Sequence, residues 1–206
     1  MRRILLVRHG ETGWNRADRR QGWAPTPLGE RGRHQARALG RELRDRYDGD
    51  RLYTSDLRRA RETADVLREA TDVDTDAVIY DRDWREQNKG VLQGLGRDAT
   101  ASFPEYSVTE SGYAAATNAP ENGESPLQMR ERVLDAWRRV VAATADGETT
   151  LVVTHRGPIR AVVGTVREWP LVRAYREVDP ANGSLVDVEA DGDGDARVAG
   201  EVVASD

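Results

Sequence analysis

Ile4, Leu5, Leu6 and Val7 form an unbroken apolar run that stops at a polar cluster. A run this short and this uniform predicts a strand covered on both faces, as in a parallel sheet. Leu151, Val152 and Val153 with Thr154 repeat the pattern and predict a second such strand. Shorter strands are expected at Leu52, Tyr53 and Thr54 and over residues 77–80. Between them the period changes to helical. Ala36, Leu39 and Leu43 mark one apolar stripe over residues 29–47, and Leu57, Ala60, Ala64 and Leu67 another over 56–70. Ser125, Pro126 and Gln128 carry the signature of a helix start with a capping box. Leu127, Val133, Leu134, Trp137, Val140 and Val141 supply that helix's buried face. Gly157 and Pro158 open a further helix ending near Arg167. Residues 184–188 and 197–203 alternate like a hairpin around an acidic Gly/Asp turn.

Strands alternating with helices predict an α/β fold on a mostly parallel sheet, with antiparallel pairing added near the C-terminus. No repeat or linker divides the chain, so 1–206 reads as one domain. Residues 94–123 lack a clean period and read as a lid or substrate loop, with room for short helix. Phe103, Tyr106 and Tyr113 lie there as candidates for an apolar wall or for packing.

Composition narrows the chemistry. Of 206 residues, 38% are hydrophobic and 33% charged, with a net charge of −5. A basic nucleic-acid face is not expected. The absence of cysteine excludes disulfides, thiolate catalysis and cysteine-held zinc. No HExxH or EF-hand pattern supports a metal site; the run from Asp191 to Asp195 lacks the rest of a calcium loop. The four-residue apolar run after Arg2 and Arg3 is too short for a secretion signal, and no stretch approaches a membrane span. The expected location is cytoplasmic, with neither nucleic acid nor membrane as a partner; a homodimer is allowed. Lys89 is the sole lysine, and nothing around it in sequence assigns it a role.

Ligands of open α/β sheets bind beyond the carboxyl ends of the strands. Three segments bring basic residues to that point: Arg8, His9 and Gly10; Ser55 to Arg59; and His155, Arg156 and Gly157. Two histidines among arginine forks suit a phosphate group. Each charge-assisted hydrogen bond is worth roughly 1.5–3 kcal/mol. Neighbouring arginines favour neutral imidazole, the form that attacks phosphorus. Plain alternatives exist for each residue taken alone. Arg8-His9-Gly10 reads also as a turn with a capping histidine, His155 as a core histidine, and Arg59 as a surface arginine like Arg58 or Arg61. His34 reads as surface.

Leu6-Val7-Arg8-His9-Gly10-Glu11-Thr12, Trp14-Asn15, Gln21-Gly22 and Pro27-Leu28 resemble the opening of the histidine phosphatase superfamily, in its phosphoglycerate-mutase-like branch. Residues 55–64 resemble its second motif, and Glu86 with Gly90 and Gly94 its acid-bearing segment. Gly123-Glu124-Ser125 and Val153-Thr154-His155 complete the series. The resemblance implies a three-layer α/β/α sandwich and a phosphohistidine intermediate without metal or other cofactor. It makes His9 the nucleophile, clamped by Arg8 and Arg59, with His155 donating to the transition state. Glu86 becomes the acid and then the base, although Asp81 and Asp83 lie close by. Thr12, Asn15, Gln21, Gly22 and Arg156 are the expected substrate contacts. Three positions depart from the branch pattern: Arg156 stands where glycine is usual, Gln93 where glutamate is, and Trp84 where an aliphatic residue is common. The acid-phosphatase branch pairs its second histidine with an aspartate, which His155-Arg156 does not match.

Hydrolysis of a small phosphomonoester is the expected activity. A phosphoglycerate mutase needs extra cations, and residues 98–129 contain neither lysine nor arginine. A noncatalytic phospholigand binder is the third reading, disfavoured because nucleophile, clamp and acid are all present.

Overall fold

The computed structural model describes residues 1–44, 46–47, 49–71, 78–191 and 195–202, without the side chains of 97, 100 and 202. The expected ends at residues 77 and 203, and the middle of the acidic turn at 192–194, fall outside them. Six strands form one sheet: β1 (Arg2–Arg8), β2 (Arg51–Thr54), β3 (Val78–Tyr80), β4 (Thr149–Thr154), β5 (Leu185–Ala190) and β6 (Ala196–Val202), in the order β3-β2-β4-β1-β5-β6. The four strands from β3 to β1 pair in parallel, and β5 joins β1 and β6 antiparallel. Asp191 and Asp195 exchange hydrogen bonds at the neck of the β5–β6 hairpin.

Alternation along the strands sorts the core into two layers. Ile4 and Leu6 of β1, Val152 of β4 and Val186 and Val188 of β5 face α6 (Pro126–Ala143) and α7 (Arg156–Val166). Leu5, Val7, Leu151 and Val153 face α2 (Glu30–Arg44) and α3 (Arg58–Thr71). Both central strands therefore carry apolar residues at every core position, which is why their sequence reads as a run and not as an alternation. The expected three-layer sandwich is the observed fold.

Ser125 caps α6 as its sequence requires: its side chain accepts from the Gln128 N–H, and its own N–H is taken by the Gln128 side chain. On that helix Leu127 and Val141 are only partly covered, whereas Met129 and Ala136 are fully buried. Residues 94–123 are more ordered than their pattern suggests. They hold α4 (Arg97–Ala101) and α5 (Val108–Thr117), the latter broken at Gly112, whose φ of +63° leaves the helical region. Val108, Ala115 and Ala116 bury against α6 and α8 (Leu171–Glu177). These small residues at irregular spacing gave no amphipathic stripe, because the pad they fill is itself small.

The loop after β1 and the start of α2 touch backbone to backbone. A Cβ on Gly10 would stand 2.3 Å from the carbonyl oxygen of Gly32, and a Cβ on Gly32 would stand 2.2 Å from that of Glu11. Either alanine must push α2 away from the sheet edge. Gly10→Ala is expected to lower stability by about 1–3 kcal/mol. The measurement is the urea midpoint at constant m-value; an unchanged midpoint would contradict this packing.

Candidate active site

Register places the site. Arg8 is level with Thr154 across the β1–β4 pair, and Thr54 is level with Val153 across β2–β4. His9, Ser55 and His155 are therefore the first residues beyond three adjacent strands. Backbone bonds continue the ladder one step further, from His9 N–H to Thr154 and from Ser55 N–H to Val153. The His9 and His155 rings lie side by side, centroids 5.1 Å apart and planes at 58°.

Two contacts fix the state of His9. Its Nδ1 lies 2.8 Å from the Gly10 carbonyl oxygen, which can only accept, so Nδ1 carries the proton. Arg59 Nε–H, at 3.2 Å, donates to Nε2, which is then the unprotonated nitrogen, its lone pair held by that bond. Burial first, and then Arg59 and Arg8, hold the imidazole well below its ordinary pKa. Arg59 is itself fixed by bonds to the carbonyls of Ala24 and Gly22, at 3.2 and 2.9 Å. Gly22 has a φ of +50°, and a Cβ there would collide with Gln93 Oε1 at 2.6 Å, so the turn that presents this carbonyl demands glycine. Arg8 donates from one terminal nitrogen to the Pro180 carbonyl, while its buried Nε has no partner. Burial lowers the pKa of both arginines, but a guanidinium remains charged. The site thus holds two desolvated cations facing a neutral imidazole, which is what an anion would stabilise.

His155 is fully buried at the N-cap position of α7, with no capping bond from its side chain. Its Nε2 lies 2.9 Å from Ser55 Oγ, and its Nδ1 is a buried nitrogen without a partner. Burial, then Arg59 and His9, lower its pKa well below the ordinary value.

Glu86 brings a carboxylate against the start of α7 beside this centre. Its carboxylate accepts from the N–H groups of Gln87 at 2.8 Å and Gly157 at 3.2 Å. A Cβ on Gly157 would stand 2.3 Å from Glu86 Oε1, so glycine makes the room the carboxylate occupies. Burial pushes the Glu86 carboxyl up, but Lys89, the two N–H groups and Arg59 together hold it below its usual value. Asp81 and Asp83 are turned instead to Arg139 on α6, at 2.9 and 2.7 Å. Arg132 of α6 ties down the segment from Asp83 to Glu86 through three carbonyls and also pairs with Glu124.

A cavity of about 530 Å³ opens over the centre. Of the expected residues, Arg8, His9, Arg59, Glu86, Asn15, Gln21, Gly22 and Arg156 all reach its wall. Thr12 does not: its hydroxyl is buried, capping the short helix α1 (Gly13–Arg16) and bonding to Gln21, so it shapes the wall from behind. His155 also stays behind the wall, against His9. Tyr106 lines the cavity, whereas Phe103 and Tyr113 are exposed and form no apolar wall. Gln93 braces the Gly22 turn by accepting from Trp23 N–H, and Trp84 fills the α6–α7 core; both departures are structural. His34 is exposed, as expected.

Sequence reasoning missed Lys89, Arg160, Tyr175, Asp179 and Asn182, all of which line the cavity. Lys89 bonds Gln87, and burial pulls its ammonium down to about 8 against the opposing pull of Glu86. A lone lysine in a chain otherwise served by arginine was the one available signal. Among the described residues, no group of three or more His, Asp or Glu is arranged to hold a metal ion, and no helix is long and apolar enough to cross a membrane.

Residues 4–200 match the model of the histidine phosphatase superfamily (branch 1). The chain is 35% identical over 165 residues to phosphoglycerate mutase-like protein 4 of Arabidopsis thaliana, covering 80% of this chain and 70% of that one. It is 38% identical over 163 residues to a metal-independent phosphoserine phosphatase of the same plant, covering 77% and 66%. Among solved structures, a mycobacterial glucosyl-3-phosphoglycerate phosphatase complexed with VO3 superposes with a TM-score of 0.83 at 30% identity, covering 97% of this chain and 98% of that one.

The lowered histidine values make a stability prediction with a definite sign. In the unfolded chain both imidazoles titrate near 6.5. Below that pH the unfolded state takes up protons that the folded state refuses, so stability falls as pH drops. The slope is up to about 1.4 kcal/mol per pH unit for each histidine, and neither contributes above about pH 7.5. Denaturant midpoints between pH 7.5 and 5 should show this fall, and His9→Gln with His155→Gln should flatten it. An equal slope in the double variant would show that these rings are not held neutral.

Proposed function

The chain belongs to the histidine phosphatase superfamily, branch 1, and on that premise we propose that it hydrolyses a small phosphomonoester through a phosphoryl group carried on His9 Nε2. The observation that carries the reading is the tautomer: a proton fixed on Nδ1 by the Gly10 carbonyl, and a lone pair on Nε2 next to two buried guanidinium groups. In the proposed first step, the Nε2 lone pair attacks phosphorus and the P–O bond to the leaving group breaks. Arg59 Nε releases the Nε2 lone pair, Arg8 and Arg59 exchange their partners for phosphoryl oxygens, and the phosphoryl group seated on Nε2 reaches the unpaired Nδ1 of His155 just behind the wall. Positioning and charge stabilisation are most of what such a transfer needs.

Glu86 donates the proton to the leaving oxygen. It is ionised in the free protein, but an arriving phosphate dianion offsets the field of Lys89 and Arg59 and raises its pKa, so that it takes up a proton from solvent as the substrate binds. In the second step the carboxylate takes a proton from water, whose oxygen displaces His9 from phosphorus, and inorganic phosphate leaves. The positive charge comes from guanidinium groups, so the reaction is assigned no metal or cofactor. The segment carrying α4 and α5 supplies Tyr106, Ser107, Thr109 and Glu110 to the wall and acts as the lid over the leaving group.

A phosphoglycerate mutase is the second reading, favoured by one observation. Residues 98–129 bring no cation, but Lys89, Arg160, Arg19 and Arg20 line the cavity from elsewhere. Isomerisation of 3-phosphoglycerate, primed by its bisphosphate, at rates above hydrolysis would establish it.

Phosphate release from aryl and alkyl phosphates is expected to be unaffected by a chelator. Rapid quenching should trap an acid-labile phosphoryl group on His9, and His9→Ala should abolish turnover; retained activity in that variant overturns the mechanism. Glu86→Gln should lower turnover of an alkyl phosphate by about 10²–10⁴-fold. It should spare the first-turnover burst of 4-nitrophenolate from 4-nitrophenyl phosphate, whose leaving oxygen needs no proton, while slowing the dephosphorylation that both esters share. Equal losses in the first-turnover phosphorylation rate on both esters would remove Glu86 from the acid role.

A further inference from the structure

Away from His9, on the same wall, Arg156 and Arg160 sit one helical turn apart on α7 and share a single carboxylate oxygen. Arg156 Nε and Arg160 each lie 3.1 Å from Asp179 Oδ1. The Arg156 contact lacks hydrogen-bond alignment, and that buried Nε has no hydrogen-bond partner. Arg160 is held from behind, its Nε donating to the Val178 carbonyl at 2.6 Å and its guanidinium lying over Tyr175 at 5.3 Å. Its side chain is only 15% exposed, whereas that of Asp179 is 60% exposed. Two guanidinium groups thus face one carboxylate that returns to water at little cost, since an ion pair so exposed is weak. The loop between α8 and β5 carries Asp179 and also supplies the Pro180 carbonyl to Arg8, so this pair and the phosphate clamp share one rim.

We propose that Arg156 and Arg160 form a second anion subsite that binds a carboxylate on the substrate's leaving group, and that the Asp179 carboxylate occupies this subsite until the substrate displaces it. The assignment rests on the phosphatase reading for the word substrate, but the subsite itself is a binding property. It selects phosphomonoesters whose leaving group is itself a carboxylic acid. Asp179 acts as an internal competitor that rejects neutral alcohols, because only a second negative charge repays its displacement.

Phosphonates, whose C–P bond is not hydrolysed, test this by calorimetry on the full chain. The probes are ω-carboxyalkyl phosphonates of three to six carbons, each against the alkyl phosphonate of equal length. The carboxylated member should bind about tenfold more tightly at its best length. Arg160→Gln should erase that ratio. Asp179→Asn should enlarge it, and the enlargement should vanish in the Arg160→Gln/Asp179→Asn double variant, which separates direct competition from a general change in charge. Equal affinities within every pair, or a gain from Asp179→Asn that survives without Arg160, overturns the subsite. Tight carboxylate-dependent binding with no phosphate released from any ester leaves the subsite standing and removes the phosphatase reading. Hydrolysis without carboxylate preference does the reverse.

Discussion

The register of β1 on β4 is the constraint from which the site follows. Because Arg8 and Thr154 end level, His9 and His155 emerge side by side, and β2 adds Ser55 at the same edge. A slip of one residue would invert every side chain on a strand, exchanging the Ile4 and Leu6 face with that of Leu5 and Val7. Both faces are equally apolar, so hydrophobicity alone sets the pairing loosely. The close approach of Gly10 and Gly32 adds a tight steric stop beside His9.

The second theme is the management of buried charge. Arg8 and Arg59 are 5% and 1% exposed and have no carboxylate directly bonded to them. Backbone carbonyls hold them instead, which satisfies some donors without neutralising the charge. A buried cation paired with a carboxylate would be more stable and less useful, since a phosphate would have to break the pair. At the outer wall the opposite choice is made, and Arg156 and Arg160 share Asp179.

Glu86 depends on elements far from it in sequence. Its backbone is tied by Arg132 of α6, and the Trp23 indole donates to its carbonyl at 2.7 Å. Its carboxylate fits against α7 only because residue 157 is glycine. The carboxylate is therefore aimed by three packed segments, whereas the nearby Asp81 and Asp83 are turned to Arg139.

By itself the sequence determined the strands at 4–7 and 151–154, the capped helix from Ser125, the two-faced core and the gathering of Arg8, His9, Arg59 and His155. Each of these is written in local pattern: unbroken apolar runs, helical stripes, and basic residues just beyond strand ends. The tertiary structure alone decided which His9 nitrogen is unprotonated, since that depends on where the Gly10 carbonyl and Arg59 lie. It moved Thr12 and His155 behind the cavity wall, exposed Phe103 and Tyr113, and brought Lys89, Arg160 and Asp179 into the wall. No period or motif marks those three, because their role comes from charges meeting across a cavity, and such meetings leave no spacing along the chain.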